Sequence, residues 1–321
     1  MGRATPGSRG PTLRDVANAA GVSIWTASNT FSNPDRVAEG TRQRVHDAAQ
    51  ALGYAGPNPG ARSLALGRSH LVALVGQGDA APLVGDAAAA LVAHGVASVC
   101  DRAGLSLVLA GREGAGMMDG RVCLRGGPGP EARGPSVVVD AEAPGVPCVR
   151  ADVEGAVREL ATLLIGHGHR EVAVVGGDES DPRLRAATGA LAGVSLTVYR
   201  TPGGRWPSRD HGEAAGRAAL GAHPRPTAVL ALADTLAWGV MEAAHRMGLR
   251  VPHDVSVAGI DDLPGSEGRG LTTAFMPYRP MGELAGNALV AMIAAAPPPA
   301  MPVIPVPVVI RRSLGPASTD P

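Results

Sequence analysis

The sequence contains no lysine, few aromatic residues and little cysteine. All 29 basic residues are arginine, and the 321 residues include only 3 Trp, 3 Tyr and 2 Phe. The codon usage of a GC-rich genome explains the arginine, together with the 44 Gly and 28 Pro, so we draw no function from these counts. Cys100, Cys123 and Cys148 are odd in number and lack a CxxC spacing. They indicate small buried residues in a reducing cytosol, and they exclude a disulfide framework.

Membrane and targeting segments are also absent from the sequence. No run reaches the roughly 18 uncharged apolar residues that a membrane helix needs, and the tract at Leu284–Ala296 is too short. The first eleven residues lack the apolar core of a signal peptide. We therefore expect a cytoplasmic protein without a membrane partner.

The common enzyme motifs are missing as well. The chain has no GxSxG elbow, no P-loop and no HExxH, and its nine His residues show no metal-ligand spacing. We therefore predict that the protein is not an enzyme and that it holds no cofactor and no metal.

The N-terminal region is basic and contains three short helical patterns. Residues 1–69 carry eight Arg against four acidic residues, whereas the whole chain has 29 residues of each sign. Apolar residues recur at helical spacing over three segments, Leu13–Ala20, Ile24–Phe31 and Thr41–Leu52. Thr12 and Ser23 are the expected N-caps, Gly21 fits a tight turn, and Gly53 ends the third helix. A short helix, a glycine turn and a second short helix form the plan of a helix-turn-helix.

Beyond a Gly/Pro-rich joint, strand-like and helix-like patterns alternate. The strand-like runs are Leu71–Val75, Leu105–Ala110, Val122–Leu124, Val137–Val139, Val172–Val175, Ala228–Ala231, Val255–Ala258 and Val303–Ile310. The helical periodicities are Asp86–Ala103, Val153–His167, Asp210–Ala222, Thr235–Met247 and Pro280–Ala295. This alternation indicates parallel sheets wrapped by helices, in two lobes with a ligand site between them. Only GREGAGMMDGR separates the second and third strands, so we expect one crossover helix to be missing.

Several segments carry a resemblance to a known family. TLRDVANAAGVS, the helix-ending LGY and the joint ARSLALGRS resemble the DNA-binding headpiece of the lac repressor (LacI/GalR) family of bacterial transcriptional regulators. IGHGHREVAVVGG, TAVLALADTLAWGVMEAAHRMGLRVPHDVSVAGIDDLP and LTTAFMP resemble the family's effector-binding core, itself similar to periplasmic sugar-binding proteins. The resemblance implies an N-terminal all-α helix-turn-helix headpiece and an α/β, periplasmic-binding-protein-like body of two doubly wound parallel-sheet lobes.

The resemblance also implies where the domains divide. Residues 1–11 would be a disordered arm, 12–56 the headpiece, and 57–69 a hinge helix or linker. Residues 70–321 would be a two-lobed effector-binding and dimerisation domain. Its first lobe would hold about 70–150 plus 277–297, and its second lobe about 151–276 plus 303–315.

The resemblance places the second headpiece helix in the major groove of DNA. Four residues would then face the bases, namely Ile24, Trp25, Ser28 and Asn29. Five would hold phosphates, namely Thr12, Ser23, Thr26, Ser32 and Tyr54. Asn29 stands where most members carry Arg and would suit adenine, and Trp25 replaces a usually polar reader and would suit a thymine methyl group. The alternative is that this pattern serves core packing alone.

The resemblance implies that the joint forms a hinge helix that orders on DNA. Asn58 would cap this helix, and Ala61 and Leu64 would enter the minor groove. Arg62, between them in sequence, would also contact the DNA. Leu64 from two subunits would wedge a central base step and kink the duplex. The alternative interpretation is a plain linker.

For the effector, the resemblance implies a cleft lined by Arg183, Asp234, Asp261 and Trp206. Carboxylates and a forked arginine suit vicinal sugar hydroxyls. Arg183 and Arg185 are equal candidates on the sequence alone, and Ala233 stands where the family has Asn. The alternative for Asp234 or Asp262 is that each merely caps a helix.

The favoured function is a homodimeric, sequence-specific DNA-binding regulator, a repressor. It would bind a palindromic double-stranded operator with an affinity controlled by a small sugar-like effector. One alternative is a sugar-binding protein of transport type, against which the headpiece and the lack of a signal peptide argue. The other is a DNA-binding regulator with a degenerate effector site.

Overall fold

A computed structural model describes residues 10–56, 68–115, 118–201 and 208–318. The chain forms two compact units, which divide in sequence between His70 and Leu71. Within the described ranges, no helix is both long enough and apolar enough to cross a membrane.

The first unit is a three-helix domain. Its helices are α1 (Leu13–Ala20), α2 (Ile24–Ser32) and α3 (Glu39–Leu52), and a 3-10 turn lies at Pro34–Arg36. The predicted helices are confirmed to within two residues at each end. Their small core is built from buried residues at helical spacing, Val16, Ala17, Ala27, Val45 and Ala49.

Local capping sets the ends of these helices, as predicted. Thr12 and Asp15 form a reciprocal capping box at α1, and the Ser23 hydroxyl accepts from the Thr26 amide at the start of α2. Gly21 and Gly53 end α1 and α3 with φ of 64° and 67°. This left-handed conformation is one that glycine adopts without strain.

The second unit begins with a parallel sheet. Its strands are β1 (Leu71–Val75), β2 (Ser106–Ala110), β3 (Gly120–Leu124), β4 (Ser136–Val139) and β5 (Cys148–Val149). They lie in the order β2-β1-β3-β4-β5, and β1 is central, with Leu74 opposite Leu109 on one side and Val122 on the other. The helices of this lobe are α4 (Ala81–Gly85), α5 (Ala87–Arg102) and α11 (Tyr278–Ile293).

Within the described ranges, helices cover only one face of this first sheet. Val72, Leu74 and Val122 point into a core shared with α5 and α11. The alternate residues of the strands, such as Ala73 and Cys123, are buried under loop residues that include Ala143 and Val146. The connection from β2 to β3 contains a single 3-10 turn, Glu113–Ala115, in its described part. The described part of this connection lacks the crossover helix, as expected, and loops cover this face of the sheet instead.

The second lobe has helices on both faces of its sheet. The strands are β6 (Glu171–Val175), β7 (Ser195–Tyr199), β8 (Ala228–Ala231), β9 (Ser256–Asp261), β10 (Thr272–Phe275) and β11 (Val308–Val309). Their order is β11-β10-β9-β8-β6-β7, parallel except for β11. The helices are α6 (Val153–Gly166), α7 (Pro182–Ala190), α8 (Arg209–Leu220), α9 (Asp234–Arg246) and the short α10 (Ser266–Arg269). Alternate strand residues pack on α6 and α7 or on α8 and α9.

The chain passes between the two lobes more than once. It leaves the first sheet after β5, and it returns from β10 into α11, which packs on α5. The segment after α11 then runs back to the second lobe. Ile304 forms an isolated bridge with Ala151, which precedes α6, and β11 pairs with β10. The predicted strand Val303–Ile310 is thus reduced to two strand residues, because its prolines cannot donate to a ladder.

Candidate functional site

The start of α2 presents two apolar side chains to solvent. Ile24 is 48% exposed and Trp25 is 66% exposed, and Ser28 lies beside them, partly exposed. On the opposite side of the same helix Ala27 is fully buried in the headpiece core. The structure therefore places three of the four predicted base-facing residues on the outer surface of α2.

Asn29 lies inside the headpiece and does not face outward as expected. Its side chain is only 7% exposed, and its amide nitrogen donates to the carbonyl oxygen of Trp25 at 3.1 Å. Asn33 donates to its carbonyl oxygen at 3.4 Å. The side chain of Asn29 is therefore hydrogen-bonded within the headpiece, to Trp25 one turn earlier and to Asn33 at the end of α2. It is not available on the outer surface to contact a base.

The predicted phosphate-binding hydroxyls lie at helix ends or on the helix surface. Ser23 Oγ lies 2.8 Å from Thr26 Oγ1, and Thr12 Oγ1 donates to Asp15 at 2.6 Å. Ser32 donates to the carbonyl oxygen of Ser28. Tyr54 packs edge-on against Phe31, with ring centroids 5.9 Å apart, and its partial burial raises the pKa of its hydroxyl. The hinge candidates lie outside the described residues, namely Asn58, Ala61, Arg62 and Leu64.

A cavity of about 700 Å³ opens between the two lobes of the second unit. The first lobe contributes Gln77, Arg125 and Asp140, which follow the carboxyl ends of β1, β3 and β4. The second lobe contributes residues 177–185 around the start of α7, with Leu232 and Ala233 after β8. No aromatic side chain lines the cavity among the described residues. Trp206, predicted to line it, lies outside them.

Arg183 lines this cavity and meets Asp261 in a buried polar cluster beside it. Asp261, which was also predicted to line the cleft, is 4% exposed and is not among the residues that line the cavity. We call the group the interlobe cluster; its members are Asp86, Arg125, Asp140, Arg183, Asp261 and Tyr278. Arg183 donates to Asp261 at 3.5 Å, to Asp140 of the first lobe at 3.4 Å and to the Leu232 carbonyl at 3.1 Å. The structure thus separates the two candidate arginines, since Arg185 is exposed and donates to the Ser180 carbonyl at 3.2 Å.

Tyr278 links the charged members of the cluster through its hydroxyl. The hydroxyl donates to Asp261 at 2.6 Å and accepts from Arg125 at 3.1 Å and from Arg183 at 3.3 Å. Burial, together with Asp261, raises the pKa of Tyr278, so the hydroxyl keeps its proton. Burial likewise raises the pKa of Asp261, although Arg183 opposes it. The two lobes are thereby joined by hydrogen bonds in which at least one partner is charged.

The first-lobe side of the cluster was not predicted from the sequence. Arg125 donates to Asp140 at 3.2 Å and to Asp86 at 3.3 Å, and Asp86 also caps α5 through the Ala89 amide. The sequence did carry a signal for two of these residues. Arg125 and Asp140 each come directly after an apolar strand, and ligands of α/β proteins bind at the carboxyl ends of the strands. The position of Tyr278 at the start of α11 carried no such signal.

Three members of the cluster have left-handed backbone conformations. Arg125, Asp140 and Asp261 have φ of 57°, 59° and 121°. Residues other than glycine rarely adopt such angles, because each costs on the order of 1–3 kcal/mol. Such a conformation is kept only where the surrounding contacts hold the backbone in place. Arg125 and Asp140 line the cavity at the ends of β3 and β4, and Asp261 ends β9 beside it, so the strain lies at strand ends next to a candidate binding site.

Asp234 lies away from the cavity, contrary to the expectation. It is fully buried, and its carboxylate accepts from the Leu263 amide at 2.9 Å and from the hydroxyls of Ser266 and Thr273, each at 2.5 Å. It therefore ties the start of α9 to the segment between β9 and β10. Burial, with a smaller effect from Asp261, raises its pKa to about 7. Asp262, the other residue with a helix-cap alternative, instead pairs with Arg311 at 2.7 Å.

Metal-ligating residues are not grouped in the described part of the chain. There, no three His, Cys, Asp or Glu side chains are placed to share an ion. In the described residues, the cavity and the exposed face of α2 coincide with the binding sites expected from the sequence.

Comparison with known proteins accounts for both features. Residues 12–58 match the family described as bacterial regulatory proteins, lacI family, and residues 161–314 match the periplasmic binding protein-like domain. An HTH-type transcriptional regulator of Mycobacterium tuberculosis is 34% identical, over 88% of this chain and 90% of the relative. The ribose operon repressor of Escherichia coli is 30% identical, over 87% of this chain and 92% of the relative.

Solved structures show the same architecture. The lac repressor dimer bound to operator and the anti-inducer ONPF superimposes with a TM-score of 0.77 at 24% identity, covering 95% of this chain and 99% of that one. The transcriptional regulator CelR in complex with cellobiose gives a TM-score of 0.67 at 29% identity, covering 95% and 100%. With its headpiece, its two-lobed body and relatives aligned over nearly their full length, this chain belongs to the lacI family of bacterial regulatory proteins.

Proposed function

We propose that this protein is a cytoplasmic repressor that binds a palindromic DNA operator as a homodimer and is regulated by a small sugar-like effector. The exposed start of α2 carries the first half of this proposal. In a helix-turn-helix the second helix enters the major groove with its N-terminal residues against the base edges. Ile24 and Trp25 are the exposed residues at that end of α2.

Dimerisation follows from the geometry of operator recognition. A helix-turn-helix reads one half-site, and a two-fold symmetric dimer reads two half-sites about one helical turn apart. The lac repressor structure to which this chain is similar is a dimer bound to its operator. The same arrangement would give this protein a palindromic binding site.

Selection of binding sequences from a random DNA pool tests the DNA-binding function. We expect the full-length protein to enrich a palindrome, and we expect the logarithm of its binding constant to fall linearly with the logarithm of salt concentration. Enrichment of no palindrome, or binding that does not respond to salt, would contradict the repressor function.

The charge distribution in the cavity favours a neutral, hydroxyl-rich effector. The arginines that line it all have acceptors in the described structure, Arg125 and Arg183 in the interlobe cluster, Arg150 with Glu142, Arg158 with Glu154 and Arg185 with the Ser180 carbonyl. The cavity therefore offers paired charges, which suit hydroxyl groups that donate to a carboxylate while accepting from a guanidinium. Apolar side chains from Leu232, Leu236 and Val303 complete the lining.

An effector in this cavity would act on the contacts that join the lobes. Arg183 and Asp140 come from different lobes, both line the cavity, and are hydrogen-bonded to one another at 3.4 Å. A ligand that takes over either partner changes the free energy of lobe closure, and a ligand shifts an equilibrium only by such a difference between states. We propose that effector binding changes the affinity for the operator through this change in lobe closure.

A thermal-shift screen of simple sugars tests the effector site. Ribose and cellobiose are the first compounds to try, because the relatives include a ribose operon repressor and a CelR–cellobiose complex. A ligand at about 100 times its Kd stabilises the folded state by about 2.7 kcal/mol. Arg183→Met should abolish the shift, whereas Arg209→Met, which removes a surface pair with Glu242, should retain it. If no sugar raises the melting temperature of the wild type, the degenerate-site alternative gains support.

A further inference from the structure

The outward surface at Ile24 and Trp25 is apolar because the polar groups of Ser23 and Asn29 are engaged within the headpiece, while Ser28 lies partly exposed beside it. Ser23 Oγ accepts from the Thr26 amide at 3.0 Å, and the Asn29 amide donates to the Trp25 carbonyl at 3.1 Å. Asn29 is 7% exposed, against 66% for Trp25. A base edge that approaches this end of the helix therefore meets an indole ring and the side chain of Ile24 before it meets an amide.

The indole of Trp25 combines a broad apolar ring with a single N–H donor and no acceptor. In the described residues that N–H has no hydrogen-bond partner. A base edge that complements it must place an acceptor next to an apolar group. It must also avoid a donor at that position, because a donor against the indole N–H would leave both groups unpaired.

Thymine is the base whose major-groove edge meets these requirements. It presents the O4 acceptor beside the C5 methyl group. Cytosine presents an amino donor, adenine sets an amino donor beside its N7 acceptor, and guanine presents two acceptors without an apolar group. The chemistry of Trp25 thus distinguishes thymine from the other three bases.

We propose that Trp25 selects a T·A base pair in each operator half-site, with its ring packed on the thymine methyl group and its N–H donating to thymine O4. The inference rests on the proposed function, in which α2 enters the major groove. It makes Trp25 a specificity-determining residue and assigns Asn29 to the interior of the headpiece. Ile24 then contributes neighbouring apolar contact.

The test uses the full-length protein and the palindrome that it selects from random DNA. Each thymine of the half-site is replaced in turn by uracil, which removes only the methyl group. At one position in each half-site we expect an affinity loss of about fourfold, the value of one buried methyl-sized group, and about fifteenfold when both half-sites are changed. Trp25→Ala should bind more weakly and respond equally to thymine and uracil at that position.

Two further probes separate the methyl contact from the hydrogen bond. Replacing the T·A pair at that position by a 5-methylcytosine·guanine pair keeps the methyl group but turns the O4 acceptor into an amino donor, and we expect the wild type to reject it by at least tenfold. Trp25→Phe should remain sensitive to uracil but lose much of this discrimination. Because Trp25 lies outside the headpiece core, we expect both variants to melt at the wild-type temperature.

Ile24→Ala is the matched control at the neighbouring exposed position. It should keep the uracil effect at the Trp25 position. If the wild type tolerates uracil at every thymine, or if the effect persists in Trp25→Ala and disappears in Ile24→Ala, the assignment to Trp25 is wrong while the repressor function stands. Failure to select any palindrome would instead refute the proposed function on which the inference rests.

Discussion

The hydroxyl group of Tyr278 should contribute measurably to the stability of the body. Tyr278→Phe removes that group without changing the ring, which is 1% exposed. Asp261 loses a donor at 2.6 Å, and Arg125 and Arg183 each lose an acceptor within 3.3 Å. Water can replace these partners only in part, since the side chains of both arginines are at most 15% exposed.

The expected cost follows from the groups left without a partner. A buried polar group deprived of its hydrogen bond costs about 1–3 kcal/mol, and charged groups cost more. The remaining bonds within the interlobe cluster compensate in part, because Arg183 still reaches Asp140 and Asp261. We therefore expect a loss of about 2–4 kcal/mol, which lowers the melting temperature of a unit of this size by about 5–15 °C.

The assay is calorimetric and denaturant-induced unfolding of the full chain, with Tyr199→Phe as the matched control. Tyr199 is a partly buried tyrosine of the second lobe, and its hydroxyl has no hydrogen-bond partner among the residues that the structure describes. The control should change stability by less than about 0.5 kcal/mol. If Tyr278→Phe unfolds within that margin of the wild type, or if both variants lose equal stability, the interlobe cluster does not join the lobes in the way described.

Three more substitutions test other parts of the molecule. The carboxyl of Asp234 has a pKa of about 7 in the folded protein and about 3.9 when unfolded, so the folded state retains a proton that the unfolded state releases. Its contribution to the free energy of unfolding should therefore fall by about 3 kcal/mol as the pH rises from about 4 to about 7. Denaturation curves across this range should show that Asp234→Asn removes this pH-dependent contribution. Identical pH profiles for the wild type and Asp234→Asn would contradict it. A methyl group at Gly95 would collide with the backbone of α11, so Gly95→Ala should lower the free energy of unfolding by about 3 kcal/mol. Gly189 on α7 faces open space, so the control Gly189→Ala should leave the free energy of unfolding unchanged or raise it by up to about 1 kcal/mol. Equal effects at the two glycines would refute the close approach of α5 to α11. Thr12→Ala removes the capping box of α1 and should cost about 1 kcal/mol, seen as roughly fivefold faster amide exchange in α1 and not in α11.

Local sequence signals predicted most of the secondary structure. Thr12, Gly21, Ser23 and Gly53 mark helix ends through their own side chains or backbone freedom, and all four act as predicted. The long amphipathic helices and the fully buried strands were also recognisable, because periodicities of 3.6 and the continuous apolar runs of parallel strands are local properties. Helices α4, α7 and α10 and strands β5, β7 and β10 were not predicted, since each is too short to show a clear periodicity.

The candidate site depended more on contacts between distant residues. Arg183 and Asp261 were predicted, and they lie 78 positions apart in sequence but within hydrogen-bonding distance. Arg125, Asp140 and Tyr278 were not predicted, because their meeting depends on how two lobes and a returning helix are placed. No local pattern encodes such a placement.

The sequence by itself determined the headpiece, the alternation of strands and helices, and the family, because capping, periodicity and motif spacing act over a few residues. Only the tertiary structure decided which of the matching polar residues face a ligand. Burial turned Asn29 inward and left Trp25 outward, although both lie within one and a half turns of the same helix. It also enclosed Asp234 among hydroxyl and amide donors and brought Arg183 to Asp140 across the cavity. Burial and partner choice depend on the sum of contacts from remote segments, and that sum exists only in the folded chain.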